Sequence, residues 1–185
     1  GTIVSPGVIG GAGWGGGAFD PTGGIIYIKA TNPAPLLKIK TIGQRTDSVN
    51  ASFTLDMAAT GGLGVRAPED TAHPLPINKP PYGTLTAVDM STGEFRWQVP
   101  IGGSPEIRRH PALQGVSLPP MLGVSGAPGG IVTRGGLVFL SGGGSSLYAV
   151  DAKDGSVRWT TDLGQRAYAN PMTYRTRMGT QFLVI

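Results

Sequence analysis

A stretch of thirteen residues occurs twice in this chain, Leu85-Thr-Ala-Val-Asp-Met-Ser-Thr-Gly-Glu-Phe-Arg-Trp97 and Leu147-Tyr-Ala-Val-Asp-Ala-Lys-Asp-Gly-Ser-Val-Arg-Trp159. Seven positions are identical, in register and without a gap: Leu85 with Leu147, Ala87 with Ala149, Val88 with Val150, Asp89 with Asp151, Gly93 with Gly155, Arg96 with Arg158 and Trp97 with Trp159. An ungapped internal repeat points to stacked units, a propeller or a solenoid, before any other architecture. Leu-x-Ala-Val alternates as a half-buried strand does, and Asp-x-x-x-Gly is turn chemistry, the carboxylate accepting backbone N–H groups and the glycine free to take positive φ. The second strand ends on Trp. A large flat side chain facing the small Ala two residues before the Asp suits the docking of one unit on the next.

Composition agrees with short strands and turns. Among 185 residues there are 31 Gly and 16 Pro, only 14% are charged, and no window carries apolar residues at helical spacing. The apolar run Leu137–Leu140 is far too short to span a bilayer. The chain opens on Gly1 and stops in a strand pattern, Phe182-Leu-Val-Ile185, so it reads as a piece of a longer protein. With no cysteine, disulfides and thiolate metal sites are excluded within these residues. The net charge of +4 is scattered, with Arg108-Arg109 the one adjacent basic pair, and nucleic acid is not an expected partner.

Residues 10–17, Gly-Gly-Ala-Gly-Trp-Gly-Gly-Gly, form a backbone almost without side chains around one Trp, which lets it pass close to another surface or a ligand. Ala18 to Gly24 then reads as a strand and turn, with Ile25 to Lys29 as the returning strand. The same hairpin recurs at Gly130 to Leu140, and a third begins with Pro171 to Arg175 and Gln181 to Ile185. Alternation of these hairpins with the Trp repeats gives four antiparallel strands per unit, the description of a propeller blade. The expected fold is therefore all-β, about two and a half four-stranded blades. Residues 1–29 and 82–101 make the first blade, 30–81 a long insertion, 102–128 an excursion between blades, 129–164 the second blade and 165–185 the start of a third. The insertion reads mostly as loop, with a weak strand-like patch near Ala51 to Met57.

Ala-x-Asp-x-x-x-Gly-x-x-x-Trp resembles the tryptophan-docking motif of the quinoprotein dehydrogenases, eight-bladed propellers that hold pyrroloquinoline quinone (PQQ) and a calcium ion on the axis. Other segments are similar to the same family in the same order: Gly13 to Pro21, Pro81-Tyr-Gly83, Gly129 to Phe139, Pro171 to Tyr174 and Gly179 to Phe182. The resemblance covers nearly all the chain outside the insertion and is nearer the membrane-type glucose dehydrogenases than the alcohol enzymes. Pro128 stands before Gly129-Gly130 where the alcohol branch generally has Trp. The family usually has Asn before the Trp of the first hairpin; Gly13 stands there, so only backbone and Trp14 contacts are available at that point.

The resemblance implies oxidation of a sugar such as glucose, or of another alcohol, with electrons passing to a quinone acceptor. In the family an Asp near the quinone takes the substrate proton, hydride passes to the quinone C5, and Ca²⁺ polarises the quinone carbonyl. The general base and the Ca²⁺ ligands belong to earlier blades, so no catalytic and no metal-binding residue is expected here. Gly13, Trp14, Pro128 and Gly129 are the expected cofactor contacts, and the remaining blades are the expected partners of this piece. The expected location is the periplasm, with any inner-membrane anchor outside these residues. A non-enzymatic propeller of the same repeat family, serving as a scaffold or protein-binding module, is the alternative. Trp97 and Trp159 are expected to dock blades, Asp20, Asp89 and Asp151 to cap turns, and His73 and His110 to be surface histidines; Asn50-Ala-Ser52 is a weak glycosylation pattern.

Overall fold

A computed structural model describes residues 2–7, 10–37, 39–41, 53–55, 64–67, 70–126 and 128–185. The strands are β1 (Thr2–Ile3), β2 (Gly11–Asp20), β3 (Ile25–Thr31), β4 (Leu36–Leu37), β5 (Ile39–Thr41), β6 (Phe53–Leu55), β7 (Gly64–Ala67), β8 (Asp70–Pro76), β9 (Gly83–Asp89) and β10 (Phe95–Pro100), followed by β11 (Gly130–Val132), β12 (Leu137–Ser141), β13 (Ser146–Asp151), β14 (Val157–Asp162), β15 (Met172–Arg175) and β16 (Gln181–Val184). Between β10 and β11 lie one turn of helix, α1 (Pro105–Arg108), and a 3₁₀ turn over Pro111–Leu113.

Two antiparallel sheets are four-stranded, in the orders β10-β9-β3-β2 and β11-β12-β13-β14, and β15 pairs with β16. These are two blades and a third hairpin, so the fold is part of a β-propeller. Each repeat forms the outer hairpin of its blade. Trp97 lies across from Ala87 and Trp159 across from Ala149, as the large-opposite-small pattern requires. At the turns, Asp89 Oδ1 accepts the N–H and hydroxyl of Ser91, and Asp151 Oδ1 accepts the N–H of Lys153. Asp20 caps its own turn in the same way, accepting the N–H of Thr22.

The core lies at the seam between the first two blades, where Tyr27, Leu85 and Ala87 meet Val138, Leu140 and Val150, with Trp97 packed against them. Trp97 donates its indole N–H to Ala152 O at 3.0 Å, and the Tyr27 hydroxyl reaches the same carbonyl. The two rings are 5.7 Å apart. Trp97 is thus a docking tryptophan. Trp159 remains half exposed, because the described residues contain no third copy of the Ala-x-Asp-x-x-x-Gly turn for it to cover.

The insertion holds more strand than its sequence shows: β5 pairs with β6, β7 with β8, and β4 with β1. These pairs are only a few residues long and include Pro74 and Pro76, so they lack the alternation that marks a strand in sequence. The Asn50 to Ser52 pattern and the His73 side chain fall outside the described residues. The excursion after β10 is tied back to the first blade. Tyr82 N–H donates to Leu122 O, Val124 N–H to Ile101 O and Gly123 N–H to Gly102 O. The backbones cross so closely that a Cβ at Gly83 would lie 2.2 Å from Val124 O, and one at Gly123 would lie 2.3 Å from Gly83 O.

His110 corrects the surface expectation. It is 2% exposed, and its Nδ1 accepts the N–H of Ala112 at the start of the 3₁₀ turn. The excursion that carries it is hydrogen-bonded back to the first blade at Leu122 O and Val124 N–H. Arg108, half of the adjacent basic pair, is likewise engaged, donating to the carbonyls of Gly103, Pro119 and Pro120.

Candidate cofactor-facing site

The blades have two distinct ends. Asp20, Ile25 and Asp89 are in register at one end of the first sheet, and Leu137 and Asp151 at the same end of the second. Trp14 and Gly129 lie at the other end, near Ala12, Ala30 and Thr84 in the first blade and just before Gly130 in the second. Neither repeat Asp can therefore act beside Trp14. Asp89 Oδ2 instead accepts from Arg96 Nε and Nη2, and Asp151 Oδ2 from the matching atoms of Arg158. Hydrogen bonds from Ser91 and Arg96 hold the Asp89 carboxyl well below the usual carboxylate range.

β2 carries Trp14 on an excursion of its own backbone. Pairing with β3 jumps from Ala12 with Ala30 to Gly17 with Ile28, so residues 13–16 stand opposite Lys29 alone. Such a bulge re-aims a side chain. Here it turns the Trp14 indole out to full exposure. Glycines flank it, and a Cβ at Gly11 or Gly16 would meet nothing within 4 Å.

The structure brings the expected contacts together in part. β11 runs beside β2, each the end strand of its sheet, so the inner edges of the two blades are neighbours. Pro128 and Gly129 are buried there, and a Cβ at Gly129 would lie 2.1 Å from Gly15 O. Gly13, Trp14 and Gly129 thus share one neighbourhood. Pro128 is packed inside, buried at the seam.

Two residues of this neighbourhood were missed in the sequence. Asn170, just before β15, accepts the Gly129 N–H on Oδ1 and donates from Nδ2 to Gly15 O, each at 2.8 Å, so one amide ties three successive units. Lys29 is 2% exposed, with Nζ bound to the carbonyls of Ala30, Val124 and Gly126 at 3.1, 2.9 and 2.7 Å. Burial pushes its pKa down to about 7. The signal for Lys29 was its place on the same strand face as Tyr27, a lysine where an apolar residue was due. For Asn170 the sequence offered only an Asn before Pro171.

Over residues 1–183 the chain matches the family described as "PQQ: Glucose/ethanol/alcohol dehydrogenase, beta-propeller domain". It belongs to that family. Among curated relatives of this PQQ propeller, the quinate/shikimate dehydrogenase (quinone) of Acinetobacter baylyi is 29% identical over 100% of this chain and 24% of its own. The glycerol dehydrogenase large subunit of Gluconobacter thailandicus is 30% identical over 99% of this chain and 27% of its own, and the quinoprotein glucose dehydrogenase of Escherichia coli 28% over 100% and 24%. The chain therefore spans about a quarter of the length of the curated relatives it matches. Among solved structures, the quinohemoprotein alcohol dehydrogenase ADHIIG of Pseudomonas putida HK5 superposes with a TM-score of 0.62 at 17% identity, covering 98% of this chain and 23% of that one. The quinohemoprotein alcohol dehydrogenase of Comamonas testosteroni gives 0.60 at 20% identity, with the same coverage. Both likenesses speak to the propeller fold.

Proposed function

We propose that this PQQ-family chain supplies one wall of the quinone site in a PQQ-dependent dehydrogenase that oxidises a hydroxyl of a sugar or another small alcohol and passes the electrons to a quinone acceptor in the periplasm. The observation that carries this reading is Trp14: a fully exposed indole, flanked by glycine, at the end of the blade away from the Asp turns. An exposed aromatic face beside open backbone fits a planar conjugated ring, which stacks offset on indole.

PQQ, when bound, supplies the two-electron acceptor for the alcohol carbon. The residues of this chain bind and orient. Trp14 offers the flat apolar surface, and the glycines on either side let backbone approach the ring edge. Gly129 permits the neighbouring blade to close against Gly15. As the family resemblance implies, the reading takes the Ca²⁺ ligands and the general base from other blades. Relatives named for quinate, glycerol and glucose all lie between 27% and 31% identity, so likeness does not separate the substrates. The sugar assignment rests on Pro128 in the place of a Trp.

The test is a PQQ titration of the quinone-free protein carrying this chain, followed by fluorescence. Trp14→Ala is expected to weaken binding by about tenfold, the loss of one aromatic stacking contact. Unchanged affinity would contradict the reading and favour a scaffold propeller.

A further inference from the structure

The bulge that presents Trp14 needs something to hold it. Residues 13–16 have no partner on β3 beyond the single residue Lys29, and glycine at three of these four positions leaves the backbone with the widest conformational freedom. Left to itself, such a segment would sample many orientations and carry the indole with it. The carbonyl directly after Trp14, that of Gly15, accepts from Asn170 Nδ2 at 2.8 Å. The other half of the same amide accepts from Gly129 N–H at 2.8 Å.

The Gly129 side is the fixed one. The segment leading to it is held by Lys29 Nζ, which donates to Val124 O and Gly126 O, and immediately after it β11 enters the ladder with β12. Gly126 is also packed on Gly143 of the second blade. An amide bound to a fixed N–H on one side and to a loose carbonyl on the other transfers the position of the first to the second.

The geometry points to Asn170 as a positioning residue that fixes the Trp14 bulge against the neighbouring blade and so sets the orientation of the exposed indole. The structural half of this inference stands on the hydrogen bonds alone; its consequence for the quinone rests on the cofactor reading of Trp14. Asn at this place is specific in its chemistry. Gly129 needs an acceptor and Gly15 a donor, and of the side chains of this size and shape only the amide offers both at neutral pH.

The informative variant is Asn170→Asp, which keeps shape and the acceptor for Gly129 but faces Gly15 O with a second oxygen. Hydrogen exchange of the peptide covering residues 11–20, in the quinone-free protein carrying this chain, reads the bulge directly. Exchange at residues 13–16 is expected to rise about tenfold at about pH 7, the weight of one lost hydrogen bond, with β13 unaffected. A carboxylate pressed against a carbonyl titrates above its ordinary range, so at about pH 4 the substituted side chain is protonated, donates to Gly15 O, and the excess over wild type should disappear. A merely space-filling role predicts no such recovery.

Exchange at 13–16 equal to wild type, or an excess that ignores pH, would overturn the proposal. Should Asn170→Asp fail to fold, seen as loss of protection in β13, Asn170→Ala removes both bonds without adding charge, and the same excess at 13–16 is expected at both pH values. PQQ titration forms the second arm. Weaker binding in both Asn170→Asp and Trp14→Ala supports the whole chain of inference, whereas unchanged binding in Trp14→Ala removes the cofactor reading and leaves the exchange result to judge Asn170 by itself.

Discussion

Trp97 of the first blade lays its ring against Gly155 of the second, so close that a Cβ on Gly155 would lie 2.8 Å from Trp97 Cε3. The indole N–H is satisfied by Ala152 O in the same turn. One repeat thus supplies the tryptophan and the next supplies the turn that receives it, which is why the two motifs share their spacing. The glycine is demanded twice over, by contact and by its φ of +77°.

Gly155→Ala and Gly93→Ala separate these two demands. Both glycines have φ +77°, but a Cβ at Gly93 meets nothing within 4 Å. In the protein carrying this chain Gly93→Ala should cost about 1–2 kcal/mol, the strain of a left-handed non-glycine residue. Gly155→Ala should cost about 2–4 kcal/mol, because displacement of the Trp97 ring adds to the strain. Urea unfolding of the two variants checks the difference.

Asp89 and Asp151 should differ in acid. Both carboxyls lie below their ordinary range, and Asp89 is pulled further, by the Ser91 hydroxyl and N–H and by Arg96. A depressed folded-state pKa contributes stability above the unfolded value, about 4, and that contribution is lost as the pH falls toward the folded value. Asp89→Asn should therefore flatten the acid limb of the stability curve more than Asp151→Asn does, as read from urea midpoints between about pH 5 and pH 2.

Lys29 should leave its mark at the alkaline side. Its pKa is about 7 in the folded chain, lowered by burial, against about 10.4 in the unfolded one. Between those values the unfolded state holds a proton that the native state lacks, so stability rises with pH through that window. The difference in urea midpoint between wild type and Lys29→Met should accordingly move in favour of wild type from about pH 7 to pH 10, and a pH-independent difference would show that the amine does not change its charge there.

Much of the blade pattern was legible because it rests on local chemistry. Asp at the turn, Gly at positive φ and Trp opposite Ala recur at one spacing, and the structure uses each as that chemistry suggests. Contacts between segments distant in sequence were not legible. Nothing near Asn170 announces Gly15 or Gly129, and nothing near Gly83 announces its crossing with Val124. His110 misled for the same reason: a histidine beside Pro111 looks exposed, and nothing in its own segment signals the burial it has in the fold. Of the strands in the insertion only β6 showed in the sequence, inside the patch near Ala51 to Met57; the others escaped because each pairing is too short for alternation to show.

The most direct measurement of blade docking is a double-mutant cycle on Trp97→Ala and Gly155→Ala, by equilibrium unfolding. If the indole is seated on that turn, both substitutions break one contact, and the double variant should be more stable than the sum of the singles predicts by about 1–2 kcal/mol. Additive losses, within about 0.5 kcal/mol, would mean that Trp97 and Gly155 act independently and that the blades are held together in some other way.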